Sequence, residues 1–301
     1  MNVILGTEQY SKPIVLALGF FDCVHIGHLS LINETIKMAL CMNCESAIYT
    51  FSNDPNKLLN KSKQIYTFEE RKSIFENIGV DNVIAEEFTE EFADQSPLQY
   101  IDNIISKFNV VGVVAGKDYT FGKNAEGNAQ LLKEYLSMKG IKVKILPFEK
   151  ANSQKISTRN IKKYIEEGNV QAANTLLAQP YFIIGEVVHG RSRGSIIGYP
   201  TANIAENENR TQLASGIYVT KIHIDQRTYL GITNVGAKPT FDEFNRTIET
   251  YILDFNKDIY GKTIKVEFFK KIRDIVKFSS VPALCNQMKK DEKATRDYFS
   301  I

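Results

Sequence analysis

The chain has 301 residues, more than one typical hydrophobic core accommodates, and this length suits two domains. Its 37 basic and 35 acidic residues nearly balance, which argues against a general nucleic-acid-binding surface. The N-terminus lacks a signal-peptide pattern, and no apolar run approaches the roughly 20 residues that span a bilayer. We therefore expect a soluble, cytoplasmic protein with neither a membrane nor a nucleic-acid partner.

The first half of the chain alternates short apolar segments, rich in branched residues, with helical patterns. Strict alternation of strands and helices predicts an α/β domain with a doubly wound parallel sheet, covered by helices on both faces. The strands predicted in this half are 14–21, 47–51, 83–88, 110–116 and 143–148.

The helices between these strands are predicted from apolar spacing and end signals. Leu29, Ile32, Ile36 and Leu40 are spaced to share one face of the first helix. A capping box at 67–70 and the glycine at 79 bound the second helix. Further helices are predicted near 98–108, 129–138, 157–168 and 171–178.

The sequence pattern changes near Pro180, and we place the domain boundary there, between 1–179 and 180–301. The apolar segments of the second half alternate with polar residues and are closely spaced, which predicts a small antiparallel β-barrel. A C-terminal helix is predicted at 282–299. The predicted strands are 182–189, 217–224, 229–235, 247–255 and 264–269.

Cys41 and Cys44 form a CxxC pair, which could indicate a redox or zinc motif. The pair falls near the end of a predicted helix, where the negative end of the helix dipole disfavours thiolates. There is no second CxxC. We therefore interpret the four cysteines as reduced thiols without a metal.

Two of the four histidines, His25 and His28, lie in one turn where the first strand meets the first helix. Ligands bind at this edge of a doubly wound sheet, and a helix N-terminus offers N–H groups to a phosphate. Gly27 allows a close approach of the backbone. One alternative is a pair of structural histidines, and another is a zinc site, for which no third ligand is evident. We predict that this turn binds phosphate.

The segment GFFDCVHIGHLSL resembles the nucleotidyltransferase signature HxGH and, at its full length, the N-terminal module of bacterial bifunctional riboflavin kinase/FAD synthetases. Segments 116–127 and 155–162 are similar to that family's GxDFxFGxxxxG and ISSTxIR loops. The resemblance implies catalysis of FMN adenylation by His25 and His28, with Asp118 and Phe121 contacting nucleotide or flavin. It also implies ATP and phosphate contacts from Gly19, Phe21, Asp22, Gly27, Ser157, Thr158, Arg159 and Lys162.

The chain departs from the family pattern at several positions. Cys23 replaces a usual glycine, and Lys162 replaces a terminal arginine, which keeps the charge but loses the bidentate fork. The family's TFDPHP segment reads TFSNDPNK here, without the histidine.

The segment GYPTAN at 198–203 resembles the riboflavin kinase motif GFPTAN, although PTAN alone is also compatible with a turn. The resemblance implies that Thr201 and Asn203 bind Mg²⁺ with ATP, as neutral oxygens suit a hard cation. Phosphate contacts are implied for Gly190, Arg191, Arg193 and Gly198.

Glu249 is a candidate site residue because its stretch, IETYILDFNKDIYG, resembles the kinase family's VEVHLLDFxGDLYG. Alternation places Glu249 on one face with Tyr251, Leu253 and Phe255, where a carboxylate is either a structural charge or a functional group. The family's glutamate is the general base. A third similar stretch implies that Arg273 binds flavin.

The resemblance covers about residues 14–299 and implies a bifunctional enzyme. Riboflavin would be phosphorylated by ATP to FMN and ADP, and FMN would be adenylated by ATP to FAD and pyrophosphate. Flavoproteins are candidate recipients of these products. The alternative is a monofunctional riboflavin kinase whose N-terminal domain binds nucleotide but no longer adenylates.

Overall fold

The structure is a computed structural model that describes residues 1–59, 63–147, 150–151, 154–189, 198–205, 207, 209–237 and 246–300. The chain divides into two units, Met1–Thr158 and Arg159–Ile301. Among the described residues, no helix combines the length and hydropathy that crossing a membrane requires.

The first unit is built on a six-stranded sheet in which every neighbouring pair is parallel, as predicted. The sheet strands are β1 (Asn2–Leu5), β2 (Tyr10–Leu18), β3 (Glu45–Phe51), β4 (Asn82–Glu86), β5 (Phe108–Gly116) and β8 (Lys142–Leu146). Their order across the sheet is β1-β4-β3-β2-β5-β8. The short edge strand β1 was not predicted, since only one of its residues, Ile4, is buried and alternation gives no signal. Shorter ladders are β6 (Thr120–Phe121) with β7 (Gly127–Asn128), and β9 (Lys150–Ala151) with β10 (Gln154–Lys155).

Helices connect these strands, and their ends follow the sequence signals. The helices of this part are α1 (Ile26–Cys41), α2 (Pro55–Leu58), α3 (Phe68–Ile78), α4 (Glu90–Ala93), α5 (Pro97–Lys107) and α6 (Ala129–Met138). In α3, Thr67 and Glu70 complete a capping box, and Gly79 ends the helix with a left-handed φ of 92°. The helix predicted at 129–138 matches α6 at both ends.

The apolar face predicted for α1 is only partly its buried face. Ile32 is fully buried as expected, but Leu40 is 75% exposed, and the other buried residues are Leu31, Thr35 and Ala39. Thr35 can face the sheet because its hydroxyl donates to the Leu31 carbonyl oxygen at 2.9 Å, so no polar group is left unsatisfied.

Two helices precede the barrel: α7 (Thr158–Glu166) and α8 (Val170–Asn174). Asn174 at the end of α8 donates to the Phe268 carbonyl oxygen at 2.9 Å and accepts from the Tyr181 N–H at 2.7 Å, so α8 is fastened to the second unit. The structural division after Thr158 thus lies before these helices, whereas the predicted domain boundary lies after them.

The second unit contains a closed antiparallel barrel, as the fold prediction expects. Its strands are β11 (Phe182–Val188), β12 (Thr201–Ala205), β13 (Gly216–Ile224), β14 (Arg227–Ala237), β15 (Arg246–Ile252) and β16 (Thr263–Arg273). Their order around the barrel is β11-β12-β15-β14-β13-β16. The sequence did not predict β12 as a strand.

The strand predicted at 247–255 is too long, because β15 ends at Ile252. The chain turns at Asp254, whose φ is 55°, so Leu253 and Phe255 are not on the same strand face as Glu249. Leu253 nevertheless packs in an apolar cluster with Tyr251 on the outer side of the barrel. Met288 of the C-terminal helix α9 (Val281–Tyr298) joins this cluster.

A chain of three threonine hydroxyls crosses the barrel interior. Thr233 Oγ1 lies 2.8 Å from Thr220 Oγ1 and 2.9 Å from Thr250 Oγ1, and all three side chains are fully buried. The hydroxyls satisfy each other, which allows polar groups to lie inside the barrel.

We expect Thr233→Val to lower the free energy of unfolding of the barrel by about 1–3 kcal/mol, since both neighbouring hydroxyls lose a partner in the interior. Urea denaturation followed by circular dichroism measures this change. Thr228→Val, on the same strand but exposed, is the control and should change stability by less than about 0.5 kcal/mol. Equal effects of the two substitutions would contradict the assigned role of the hydroxyl chain.

Candidate functional sites

The loop between β2 and α1 forms the centre of the first site. Phe21 and Val24 have φ values of 55° and 42°, which are unusual for residues with a side chain. Each such conformation costs on the order of 1–3 kcal/mol and needs surrounding contacts to hold it. Here both side chains are only 1% exposed, so burial fixes the shape of the loop.

His25 and His28 meet at the N-terminus of α1. Nδ1 of His25 accepts a hydrogen bond from the His28 backbone N–H at 3.1 Å, so His25 caps the helix. The two imidazole rings stack with centroids 3.7 Å apart and planes 10° apart. Burial, with a smaller effect of His25, holds the pKa of His28 well below its usual value, so His28 is neutral at neutral pH.

Arg71 of α3 holds the start of this loop from inside the unit. Its guanidinium donates to the carbonyl oxygens of Phe20 at 3.1 Å and Phe51 at 2.6 Å, and to Thr50 Oγ1 at 2.8 Å. Burial lowers the pKa of Arg71 to about 10, so it stays charged at neutral pH, and nearby Asp22 opposes the shift. The loop is therefore fastened to the ends of two strands by one buried cation.

Asp22 lies beneath the loop, 4% exposed, and its Oδ1 accepts the Ile65 N–H at 2.7 Å. The structure thus shows Asp22 supporting the backbone. Gly19 lies against the Phe21 ring, since a Cβ there would come within 2.9 Å of the ring, and this close approach requires glycine.

A cavity of about 750 Å³ opens beside His28 and is lined largely by aromatic side chains. It brings together five of the predicted residues: Gly19, Phe21, His28, Asp118 and Phe121. A smaller cavity of about 100 Å³ is lined by His25, Gly27, His28, Gly116 and Asp118. Because His28 and Asp118 line both cavities, they connect the helix N-terminus to the aromatic cavity.

Sequence reasoning missed most of the aromatic wall. Tyr100 packs against Phe121 with centroids 5.2 Å apart, and its hydroxyl lies 2.7 Å from that of Tyr119. Phe92 contacts Tyr100 edge-on at 5.8 Å. These residues come from three separated segments, so no spacing in the sequence could indicate that they meet.

The predicted second phosphate grip begins beside the loop. Thr158 Oγ1 lies 3.5 Å from Cys23 Sγ, and Ser157 is half-buried. Arg159 and Lys162 follow on α7 in the second unit, where Arg159 is exposed and Lys162 is 9% exposed.

The second site lies on the outer face of the barrel. In the registers of three adjacent strands, Asn203 of β12 and Asn234 of β14 both pair with Glu249 of β15. Alternation points Ile248 and Thr250 inward, so Glu249 and its two neighbours share the outer face. Directly paired side chains of neighbouring strands lie about 4.5–5.5 Å apart at Cβ, close enough to act together.

Asn234 is a site residue that the predicted set did not include. Its Oδ1 is buried and has no hydrogen-bond partner among the described residues. A buried acceptor without a partner is costly, which is typical of a position that contacts a ligand. The available signal was its place within the GITNVG stretch, which also resembles the kinase family.

Thr201 and Asn203 lie two positions apart on β12 and therefore on one face. Asn203 is 6% exposed, and its Nδ2 donates to the Thr201 carbonyl oxygen at 3.2 Å. This bond uses the amide nitrogen and leaves the amide oxygen as the group for a ligand. A cavity of about 260 Å³ is lined by Thr201 and by the segment 255–260.

Arg273, predicted to bind flavin, is held in a bidentate ion pair. Its Nε and Nη2 donate to the Asp291 carboxylate at 3.1 and 2.7 Å, and Asp291 is only 3% exposed. The structure shows that Arg273 anchors α9 to the barrel. Gly198 is exposed with φ 82°, whereas Gly190, Arg191 and Arg193 lie outside the described residues.

Comparison with known proteins assigns both halves of the chain. Family models described as FAD synthetase and Riboflavin kinase match residues 7–160 and 177–299. A bifunctional riboflavin kinase/FMN adenylyltransferase of Listeria monocytogenes is 37% identical over 291 residues, covering 95% of this chain and 92% of its own. The chain belongs to this bifunctional family. The predicted pair of activities, riboflavin kinase and FMN adenylyltransferase, is thereby confirmed, and the monofunctional alternative is not supported.

Two further relatives span nearly the whole chain. The Bacillus subtilis enzyme of the same description is 37% identical over 302 residues, covering 97% of this chain and 94% of its own. A solved structure from Streptococcus pneumoniae, described as a macrolide-efflux protein, is 34% identical with a TM-score of 0.88, covering 98% of this chain and 99% of its own. The two-domain fold is thus common to this chain and to that solved structure.

We expect Arg71→Met to lower the free energy of unfolding of the N-terminal unit by about 2–4 kcal/mol, because two carbonyl oxygens and a buried hydroxyl each lose a charged donor and buried carboxylates lose a nearby cation. Urea denaturation measures the change. Lys72→Met is the matched control, since the ion pair of Lys72 with Glu69 lies at the surface. If Arg71→Met stays within about 0.5 kcal/mol of the wild type, which is the usual effect of a surface substitution, the loop does not depend on Arg71.

Proposed function

We propose that the two activities use two independent sites and that MgATP is the second substrate of each. In the N-terminal unit, an FMN phosphate oxygen attacks the α-phosphorus of ATP, and pyrophosphate leaves. No protein nucleophile is needed, so the site must align two phosphates and neutralise developing charge. The observation that supports this best is the histidine pair at the α1 N-terminus, beside both cavities.

The helix N-terminus and His25 and His28 are the proposed contacts of the ATP phosphates. Free N–H groups and the positive end of the helix dipole favour an anion there, and Gly27 adds no side chain between them. Neutral His28 can donate one hydrogen bond without a proton transfer. Ser157, Thr158, Arg159 and Lys162 stay predicted phosphate donors, with Thr158 supported by its place beside Cys23.

The 750 Å³ aromatic cavity is the proposed flavin site of this unit. A tricyclic isoalloxazine ring is flat and mostly apolar, and aromatic walls such as Phe121 and Tyr119 offer it faces and edges. Asp118 lines both cavities and is positioned to contact the part of the substrate between the ring and the reacting phosphates.

In the barrel, Glu249 is the proposed general base for riboflavin phosphorylation. Its carboxylate would take the proton of the riboflavin 5′-hydroxyl as that oxygen attacks the γ-phosphorus of ATP, and ADP leaves. Asn203 and Asn234 pair with Glu249 on both sides and restrict where the carboxylate and the hydroxyl can lie.

Thr201 and Asn203 fit the proposed role in holding Mg²⁺ with ATP. Both supply neutral oxygens, and the hydrogen bond from Asn203 Nδ2 to Thr201 orients the amide. When bound, Mg²⁺ neutralises phosphate charge during transfer. The adjacent 260 Å³ cavity is the proposed nucleotide position, and Gly190, Arg191, Arg193 and Gly198 stay predicted phosphate contacts.

We place the enzyme in the cytoplasm, where ATP is made. Support comes from its thiols, since Cys23, Cys41, Cys44 and Cys285 form no disulfide in the structure. Flavoproteins that need FMN or FAD are the proposed recipients of its products.

We expect Glu249→Gln to reduce FMN formation from riboflavin by about 10²–10⁴-fold, because an amide cannot accept the hydroxyl proton. FAD formation from supplied FMN should be unchanged. Chromatography of products formed with MgATP and each flavin measures both rates. Glu186→Gln, an exposed glutamate of the same barrel, is the control. Loss of both activities in folded Glu249→Gln would contradict two independent sites.

We expect His28→Asn to show the opposite pattern. FAD formation from FMN should fall by about 10²–10³-fold through loss of a donor to the developing phosphate charge. FMN formation from riboflavin by the same protein preparation serves as the control and should keep its wild-type rate. Unimpaired FAD formation would exclude His28 from the adenylation site.

A further inference from the structure

The loop that carries the histidine pair also brings a sulfur atom to it. The ligand atoms of Cys23, His25 and His28 all lie within 4.8 Å of one another. The sequence did not reveal this third ligand because Cys23 precedes α1 and follows no helical spacing. The left-handed turn at Val24, with φ 42°, lies between Cys23 and His25 and sets their relative position.

These three groups match the ligand preference of zinc. Zn²⁺ takes thiolate sulfur at about 2.3 Å and imidazole nitrogen at about 2.0–2.1 Å in tetrahedral geometry. Those lengths place neighbouring ligand atoms roughly 3.3–3.6 Å apart. The two imidazole rings are stacked, so one of them must rotate about its side-chain bonds before both ring planes contain the metal. Three protein ligands leave a fourth position open.

His28 offers a nitrogen that lacks any other use in the described structure. Its Nδ1 is buried and has no hydrogen-bond partner among the described residues. A metal ion would satisfy this lone pair. The 100 Å³ cavity is lined by both His25 and His28 and so lies next to the cluster.

We propose that Cys23, His25 and His28 form a Zn²⁺ site whose occupation blocks FMN adenylation. The metal would hold both imidazoles and so prevent them from contacting the ATP phosphates. Riboflavin phosphorylation would continue, because Thr201 and Asn203 present neutral oxygen ligands, which suit Mg²⁺ and not zinc. The blocking effect rests on the proposed function of the histidine pair, whereas metal binding does not.

The CxxC pair is the natural competitor for zinc in this chain. Cys41 is exposed at the end of α1, and Cys44 contacts the Ala39 carbonyl oxygen at 3.6 Å. Within the described part of the chain, neither cysteine belongs to a cluster of three metal-binding groups. A double substitution of this pair is therefore the matched control.

The first experiment tests binding with Co²⁺, a spectroscopic substitute for Zn²⁺, on the full chain. Cobalt bound to a thiolate absorbs in the near ultraviolet through sulfur-to-metal charge transfer. We expect this band in the wild type and in C41S/C44S, and its loss in both C23A and C23S. Two substitutions are used so that a folding defect in one does not decide the result. Persistence of the band when C23A or C23S is combined with C41S/C44S in a folded protein, or its absence in the wild type, would overturn the site.

The second experiment tests inhibition by Zn²⁺ with MgATP in excess. Each variant is compared with its own rate in a chelator. FAD formation should be inhibited in the wild type and C41S/C44S, with FMN formation unaffected. C23A should need at least about tenfold more zinc for the same inhibition, given the loss of one ligand. More ATP should relieve the inhibition.

The outcomes separate the proposed metal site from the proposed role of the histidine pair in adenylation. A cobalt band together with uninhibited FAD formation would overturn the blocking effect. If the wild type makes no FAD even with the chelator, the proposed adenylation fails, while the cobalt titration still decides the metal site.

Discussion

The N-terminal site depends on one buried cation. Arg71 joins the ends of β2 and β3 by donating to two carbonyl oxygens and a threonine hydroxyl. The loop that follows contains two left-handed residues, a conformation that only surrounding structure can maintain. The shape of that loop brings the histidines to the helix N-terminus and Cys23 to the histidines. The positions of the histidines and of Cys23 thus depend on the hydrogen bonds of the buried Arg71 guanidinium.

In the barrel, hydrogen-bonded strands, and not a buried charge, hold the side chains of the site in position. Register alone sets Asn203, Glu249 and Asn234 side by side on three strands. The threonine hydroxyls beneath them satisfy one another. A strand framework positions side chains more firmly than a loop does, which suits a base that must meet one hydroxyl.

The sequence predicted most of the fold because its periodicity is strong. The parallel sheet, the barrel and the C-terminal helix all carry clear alternation or end signals, as the capping box of α3 shows. It missed β1 and β12, which are short and lack that pattern, and it shifted the buried face of α1 because Thr35 replaces an expected apolar residue. For the sites, short motifs located His25, His28, Thr201 and Glu249. Other residues of these sites, such as Tyr100, Asn234 and Cys23, come close only when the chain folds. The spacing of residues along the sequence does not indicate such contacts.

The register of the barrel strands has a consequence for how this enzyme can change during evolution. Side chains alternate between the inside and the outside of a strand, so a one-residue insertion or deletion within β14 or β15 would exchange the two faces. Thr233 or Val235 would then replace Asn234 outside, and the asparagine would enter the barrel interior. Length changes are therefore confined to the turns, and the strands that carry the kinase site can change only by substitution.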